Sequence, residues 1–226
     1  MITTILFDFD GVVLDSVPLK EKGFQLLFQD FSSDKVELLL NYHKDNGGIS
    51  RFKKIRWFYE EVLNEKISEE RVNELAEKFS NIVRPLLFNK NLLFEDTVSF
   101  IEGHYKKYEM HVVSGAEERE LRDLCDFLEI SKYFVTITGS PTPKEKLIEK
   151  LQQKFKFKLE NLCLIGDSFN DFEAAQNSNI VFFAYNNLTL QGIGRAYVKG
   201  FRSFAVYLRF CDECLLSKKG CVGPLA

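Results

Sequence analysis

Histidine, proline and tryptophan are scarce in this chain, and neither charge predominates. Its 226 residues include three histidines, five prolines and one tryptophan, and 30 basic side chains are set against 33 acidic ones for a formal net charge of −3. Such a balance excludes the electrostatic footprint of a polyanion-binding surface, so no nucleic-acid partner is expected. No apolar run approaches the roughly 20 residues of a membrane span, so no membrane partner is expected either. The opening "MITTILFDFD" lacks the basic n-region of a secretory signal, and two aspartates interrupt its apolar stretch. A cytoplasmic protein is the expectation. The five cysteines, Cys125, Cys163, Cys211, Cys214 and Cys221, are odd in number and accompany no export signal, so they read as reduced thiols. The C-x-x-C in the tail "CDECLLSKKGC" has no fourth Cys or His nearby to close a zinc site. His43, His104 and His111 show no metal-ligand spacing and are expected to be structural or solvated.

Apolar residues are plentiful: 45% of the chain is hydrophobic and 22 residues are phenylalanine, enough for a sizeable core in one or two domains. They gather in short runs that read as buried strands: "TILFDF" (4–9), "MHVVSG" (110–115), "FVTITG" (134–139), "LCLIGD" (162–167) and "IVFFAY" (180–185), with "AYVKGF" (196–201) as a short edge strand. Helical patterns over 95–108, 117–130 and 144–155 separate most of them. Continuous apolar strands alternating with helices predict an α/β fold, a Rossmann-like parallel sheet flanked by helices. Residues 17–89 break this alternation with helical signals alone. About seventy residues is far more than one crossover helix needs, so they form an inserted helical cap. The expected division is a core of 1–16 and 90–210, a cap of 17–89 and a tail of 211–226. Pro18 suits a first helical turn, and Ser33 and Ser68 suit N-caps.

Polar clusters stand where the strands end. In "ILFDFDGVVLDS" Asp8 and Asp10 follow the first apolar run with Gly11 directly after. Residues i and i+2 of a strand share a face, so both carboxylates would face one site while Phe7 and Phe9 turn into the core. Two such charges need a compensating cation, proton or basic side chain. "VVSGA" offers the Ser114 hydroxyl and the Gly115 backbone N–H to an anionic oxygen, although Ser114 suits a turn cap equally well. "LIGDSFND" adds Asp167 and, about one helical turn on, Asp171, which could also cap the following helix. A few hard carboxylate ligands suit Mg²⁺ shared with a phosphate. In "GSPTPKEK", Thr142-x-x-Glu145 reads as a capping box with Pro143 at the first helical position, which puts Lys144 where its charge opposes the helix dipole. A phosphate and aspartates nearby would explain it; Lys146 is the alternative. In the cap, "YHKDNGGISRFKK" (42–54) breaks its helix at two glycines before Arg51, Lys53 and Lys54, either a loop that reads the substrate or a basic helix face.

In these motifs the chain resembles the haloacid dehalogenase superfamily, in the phosphatase branch with a helical cap that includes phosphoglycolate and sugar phosphatases. "DFDGVVLDS", "VVSG", the lysine loop and "GDSFND" occur in the family's order across residues 1–205. The resemblance implies Asp8 as nucleophile, Asp10 as general acid/base, and Ser114 and Lys144 as phosphate holders. It implies Mg²⁺ bound by Asp8, Asp167 and the backbone carbonyl of Asp10, with Asp171 in support. Gly11, Gly115, Arg51 and Lys54 complete the expected substrate-binding set. The partner implied is a small phosphorylated metabolite, handled by a monomer or homodimer. Glu145 stands after Lys144 where many relatives have proline. Some helical-cap mutases place a histidine where this chain has Lys20, so a phosphomutase using the same nucleophile is the alternative. A non-catalytic binding module ranks below both, since none of the acidic residues is missing.

Overall fold

The computed structural model describes residues 1–208. The tail cysteines Cys211, Cys214 and Cys221 lie outside the described residues. Six strands form one parallel sheet: β1 (Thr4–Phe7), β2 (Glu109–Glu117), β3 (Thr136–Ser140), β4 (Leu162–Gly166), β5 (Val181–Tyr185) and β6 (Ala196–Val198), in the order β3-β2-β1-β4-β5-β6. The uninterrupted apolar runs follow from burial on both faces. Ile5, Phe7, Val112, Cys163 and Ile165 pack into one core with Phe100, Leu124 and Phe201. Their alternates Leu6, Val113, Leu164 and Phe182 pack into another with Ile148 and Ala175. The flanking helices are α5 (Glu95–His104), α6 (Glu118–Phe127), α7 (Lys144–Phe155) and α8 (Phe169–Asn177), and residues 201–208 are also helical. Cys125 and Cys163 are buried free thiols; burial pushes Cys125 up to about 12 and raises Cys163 as well. Among the described residues no helix is long and apolar enough to cross a membrane.

The insertion between β1 and β2 is helical: α1 (Val17–Leu27), α2 (Ser33–Asp45), α3 (Arg51–Trp57), which runs on as a π-helical turn over Phe58–Val62, and α4 (Glu69–Leu87). Phe24, Leu39, Ile55, Phe58, Phe79 and Val83 are buried among them. Its two connections to the sheet run side by side, because Asp15 N–H donates to the Leu92 carbonyl (2.8 Å) and Phe94 N–H to that of Val13 (3.0 Å). Pro18 stands in the first turn of α1, and the Ser68 hydroxyl accepts from Arg71 N–H at the start of α4. Three local expectations change. Ser32, not Ser33, is the N-cap of α2. Helix α7 begins at Lys144 with Pro143 as its N-cap and no capping box, because the Pro143 carbonyl already accepts from the N–H groups of Lys146 and Leu147 (3.0 Å each). Strand β1 ends at Phe7, so Asp8 and Asp10 stand on the connection beyond it, and strand alternation does not govern their directions.

Candidate active site

Asp8 is the first residue beyond β1, held against β4 by its N–H donating to the Ile165 carbonyl (2.9 Å). Asp167 is the first residue beyond β4. These neighbours mark the point where the strand order reverses, the crevice at which open α/β sheets take ligands. Asp171 arrives from the first turn of α8, and one carboxylate oxygen from each of the three lies within 4.8 Å of the others. Asp171 caps α8, one of the two roles that its position suggested, and its other oxygen faces the cluster. Its Oδ2 accepts from the Ser168 N–H (3.1 Å) and hydroxyl (2.7 Å) in a reciprocal cap of α8, while Oδ1 accepts from Lys144.

The charges of this cluster do not balance internally. Burial, then the Asp171 charge, pushes the Asp8 carboxyl up to about 7. Burial, then Asp8 and Asp171, push Asp167 well above the ordinary carboxylate range. The Lys144 ammonium stands 2.9 Å from Asp8 Oδ1 and also pairs with Asp171. Burial works against its charge, but the two aspartates prevail and hold it protonated. Lys146 is exposed and pairs with Glu149 at 2.8 Å, away from the cluster. One lysine against three carboxylates leaves negative charge over. A compact set of hard oxygens with unmet charge fits a divalent cation.

Asp10 stands apart from the cluster. Its carboxylate accepts from Lys20 Nζ and the Ser16 hydroxyl, each at 2.5 Å. Burial would raise its pKa, but the Lys20 charge and these bonds hold it below the ordinary value. Gly11 has a φ of +76°, and a Cβ there would lie 2.0 Å from Asp167 Oδ2, so only glycine lets the chain turn this close to the carboxylate. Ser114 is buried near the end of β2, and its oxygen accepts from Ala116 N–H (3.1 Å), the turn-capping geometry. Gly115 touches the cap: a Cβ there would meet the Gly48 carbonyl oxygen at 2.5 Å.

Between core and cap lies a cavity of about 320 Å³, lined by Asp10, Gly11, Gly115 and Asp167 on the core side and by Arg51 and Lys54 on the cap side. Neither of these two basic residues is a solvated helix face. Arg51 is buried, and its terminal nitrogens donate to both oxygens of Glu120 in α6 (2.8 and 3.1 Å) and to Ser80. Lys54 is buried with its ammonium 2.8 Å from His43 Nδ1, and only Lys53 of the basic stretch is exposed. His43 thus lines the site, which the absence of metal-ligand spacing did not suggest. Ser16 and Glu120 also go unannounced by any local pattern, and Lys20 stands out only as the position where some mutases have a cap histidine. Asn186 and Asn187 had a signal: they follow the fifth apolar run at its strand end. Their side-chain amides donate to the Gly11 (2.9 Å) and Asp167 (2.8 Å) carbonyls and brace both loops.

The model of the haloacid dehalogenase-like hydrolase family matches residues 5–185. The chain belongs to this family. As a haloacid dehalogenase-like hydrolase it is an enzyme, and its relatives include phosphatases. A phosphoglycolate phosphatase of Aquifex aeolicus is 28% identical over 193 residues, covering 77% of this chain and 80% of that protein. One from Aliivibrio fischeri is 24% identical over 193 residues, covering 81% and 83%. Among solved structures, a β-phosphoglucomutase from Clostridium difficile superposes with a TM-score of 0.75 at 19% identity, covering 96% of this chain and all of that one (100%). That likeness concerns the fold: a parallel sheet with a helical cap inserted after the first strand.

Proposed function

We propose that the enzyme is a Mg²⁺-dependent phosphatase that hydrolyses a small organic phosphate monoester through an aspartyl-phosphate on Asp8. The observation that carries this reading is the charge-unbalanced set of Asp8, Asp167 and Asp171 around Lys144, at the β1/β4 crevice and under a cap. Asp8 supplies the attacking oxygen: its bond to phosphorus forms as the ester P–O bond breaks. Lys144, already 2.9 Å from that carboxylate, holds the phosphoryl oxygens and keeps its charge throughout. Mg²⁺, held by Asp8, Asp167 and the Asp10 backbone carbonyl with Asp171 in support, would neutralise phosphoryl charge. Asp10 gives a proton to the departing alkoxide, then takes one from the water that attacks phosphorus and frees Asp8. With Lys20 and Ser16 both donating to it, Asp10 is arranged as the ionised base of the second half. The proton it carries in the first half competes with those two bonds. Ser114 and the Gly115 N–H remain candidates for the phosphate, and Arg51 and Lys54 for the remainder of the substrate. No observation favours the mutase alternative, since the ammonium of Lys20 is taken up by Asp10.

The test is phosphate release from a panel of phosphorylated metabolites with Mg²⁺, with excess chelator, and with Asp8→Asn. Turnover that needs Mg²⁺ and falls by several orders of magnitude in Asp8→Asn is expected, because a carboxamide does not attack phosphorus. Retention of more than a tenth of kcat by that variant, or full activity in chelator, refutes the assignment.

A further inference from the structure

Two consecutive asparagines reach from the end of β5 to both loops that carry the acidic centre. The β4–β5 register sets Gly166 beside Ala184, so the chain leaving β5 at Tyr185 runs alongside Asp167. From there Asn186 Nδ2 donates to the Gly11 carbonyl (2.9 Å) on the β1 loop, across 175 positions of sequence. Asn187 Nδ2 donates to the Asp167 carbonyl (2.8 Å) on the β4 loop. A turn alone would account for Asn186, whose φ of +53° is a conformation that asparagine tolerates. It does not account for Asn187, whose φ of −139° is extended. The Asn187 amide is also oriented. Its Oδ1 accepts from the Thr189 N–H (3.1 Å) and hydroxyl (2.7 Å), which turns Nδ2 toward Asp167.

What these bonds hold is the distance between two loops that bear the ligands. Contact already limits their approach, because even a Cβ on Gly11 would fall 2.0 Å from Asp167 Oδ2. The two amides limit their separation. Gly11 is pinned on both sides, its N–H donating to the Leu14 carbonyl (2.8 Å) and its own carbonyl accepting from Asn186. A glycine at φ +76° would otherwise be the most yielding point of the loop. Its N–H also lies in the same rigid peptide plane as the Asp10 carbonyl, so fixing the one directs the other. Mg²⁺ demands near-octahedral oxygens at about 2.0–2.1 Å, whereas Ca²⁺ accepts about six to eight of them at about 2.3–2.6 Å in looser arrangements. Loops free to drift apart would suit the larger ion. Loops stopped in both directions suit the smaller.

We propose that Asn186 and Asn187 are positioning residues that hold the β1 and β4 loops at one separation and thereby give the acidic centre a preference for Mg²⁺ over Ca²⁺. This rests on the Mg²⁺ reading of Asp8, Asp167 and Asp171 and adds how that centre measures the ion. Both asparagines act on main-chain carbonyls rather than as ligands themselves.

The test reads ion binding apart from turnover. The unmutated protein, Asn186→Gly and Asn187→Ser are each titrated calorimetrically with Mg²⁺ and with Ca²⁺, with no ester present. Glycine keeps the left-handed turn and serine keeps an acceptor for Thr189, so each variant removes the donating amide with little other change. Loss of a group that orients metal ligands commonly weakens ion binding by roughly ten- to a hundredfold. Each variant is therefore expected to raise the Mg²⁺ dissociation constant about tenfold and that of Ca²⁺ about twofold or less. The ratio of the Ca²⁺ constant to the Mg²⁺ constant then falls about fivefold or more. A smaller fall in either variant overturns the proposal, whether Mg²⁺ binding persists or both ions weaken alike, as they would on losing a merely structural brace. Asn187→Thr replaces Asn187→Ser if circular dichroism shows the latter unfolded. If the unmutated protein binds neither ion, the Mg²⁺ reading fails and the proposal with it. If it binds Mg²⁺ and the variants keep its ratio, only the role of the asparagines fails.

Discussion

Removing the Glu120 carboxylate should unsettle this protein far more than an ordinary charge deletion. Glu120 in α6 of the core and Arg51 in α3 of the cap bond through two contacts, at 2.8 and 3.1 Å, with side-chain exposures of only 7% and 4%. Arg51 also stands over the Phe79 ring at 4.8 Å and donates to Ser80, so its guanidinium has no route to water that keeps these contacts. Glu120→Gln halves the acceptor and deletes the charge, and Glu120→Ala leaves a buried cation uncompensated. Breaking such a pair from one side costs about 3–5 kcal/mol. At 2–4 °C per kcal/mol for a chain of this size, the melting temperature should fall by roughly 6–20 °C. Replacing both ends, Arg51→Met with Glu120→Leu, should recover most of that loss, because apolar groups of similar volume replace a desolvated pair. The pH dependence has a definite sign. Burial alone would raise the Glu120 pKa, but the Arg51 hydrogen bonds and charge hold it below the ordinary value. Its contribution to stability is therefore full above the unfolded glutamate value of about 4.3 and is lost as pH falls through the lowered one. Glu120→Ala should accordingly lose its excess instability in acid. Thermal and urea unfolding of the four proteins across pH gives the answer. Single variants within about 1 kcal/mol of the parent would mean that water reaches this pair and the cap does not rest on α6 in solution.

Two further outcomes follow from the carboxylate cluster. Lys144→Ala should lower kcat by about two orders of magnitude or more, since it withdraws the cation from the phosphoryl site, whereas Lys146→Ala should stay within about twofold; steady-state assays with one ester suffice, and the opposite order would move the role to Lys146. Mg²⁺ binding should release protons near neutral pH, because Asp8 titrates at about 7 without metal and the ion binds its ionised form. Calorimetry in two buffers of different ionisation enthalpy measures this, and equal heats would refute it.

The sequence made the sheet and the acidic centre legible for one shared reason. A parallel strand buried on both faces is a continuous apolar run, and a charge directly after such a run stands at the mouth of the sheet, as Asp8 and Asp167 do. Lys144 was legible because helix energetics disfavour a cation at that end, so something outside the helix must hold it. Its register was not: Thr142-x-x-Glu145 spells a cap that the chain starts too late to use, and a motif does not separate registers one residue apart. The cap's interior escaped for a different cause. Arg51 and Glu120 lie 69 positions apart and Lys54 and His43 eleven, and each partner alone looks like an ordinary surface residue of an amphipathic helix. Pairings across elements leave no period in a sequence, so the basic stretch could be located but not its neighbours.

The meeting of Gly48 with Gly115 has a consequence for how the site measures its ligand. A carbon at Gly115 would fall 2.5 Å from the Gly48 carbonyl oxygen, and one at Gly48 would fall 2.7 Å from Ser168 Oγ. At Gly115 cap and core meet main chain against main chain, whereas at Gly48 the neighbour is the Ser168 side chain. A seat of that kind behaves as a calliper with a hard stop: the jaws close no further than the two main chains allow. The space left for a substrate is thus set by backbone geometry, and a ligand that holds the jaws apart by an ångström forfeits the whole line of contact rather than part of it. Size selection in such an enzyme comes from what the stop forbids as much as from the groups that line the cavity.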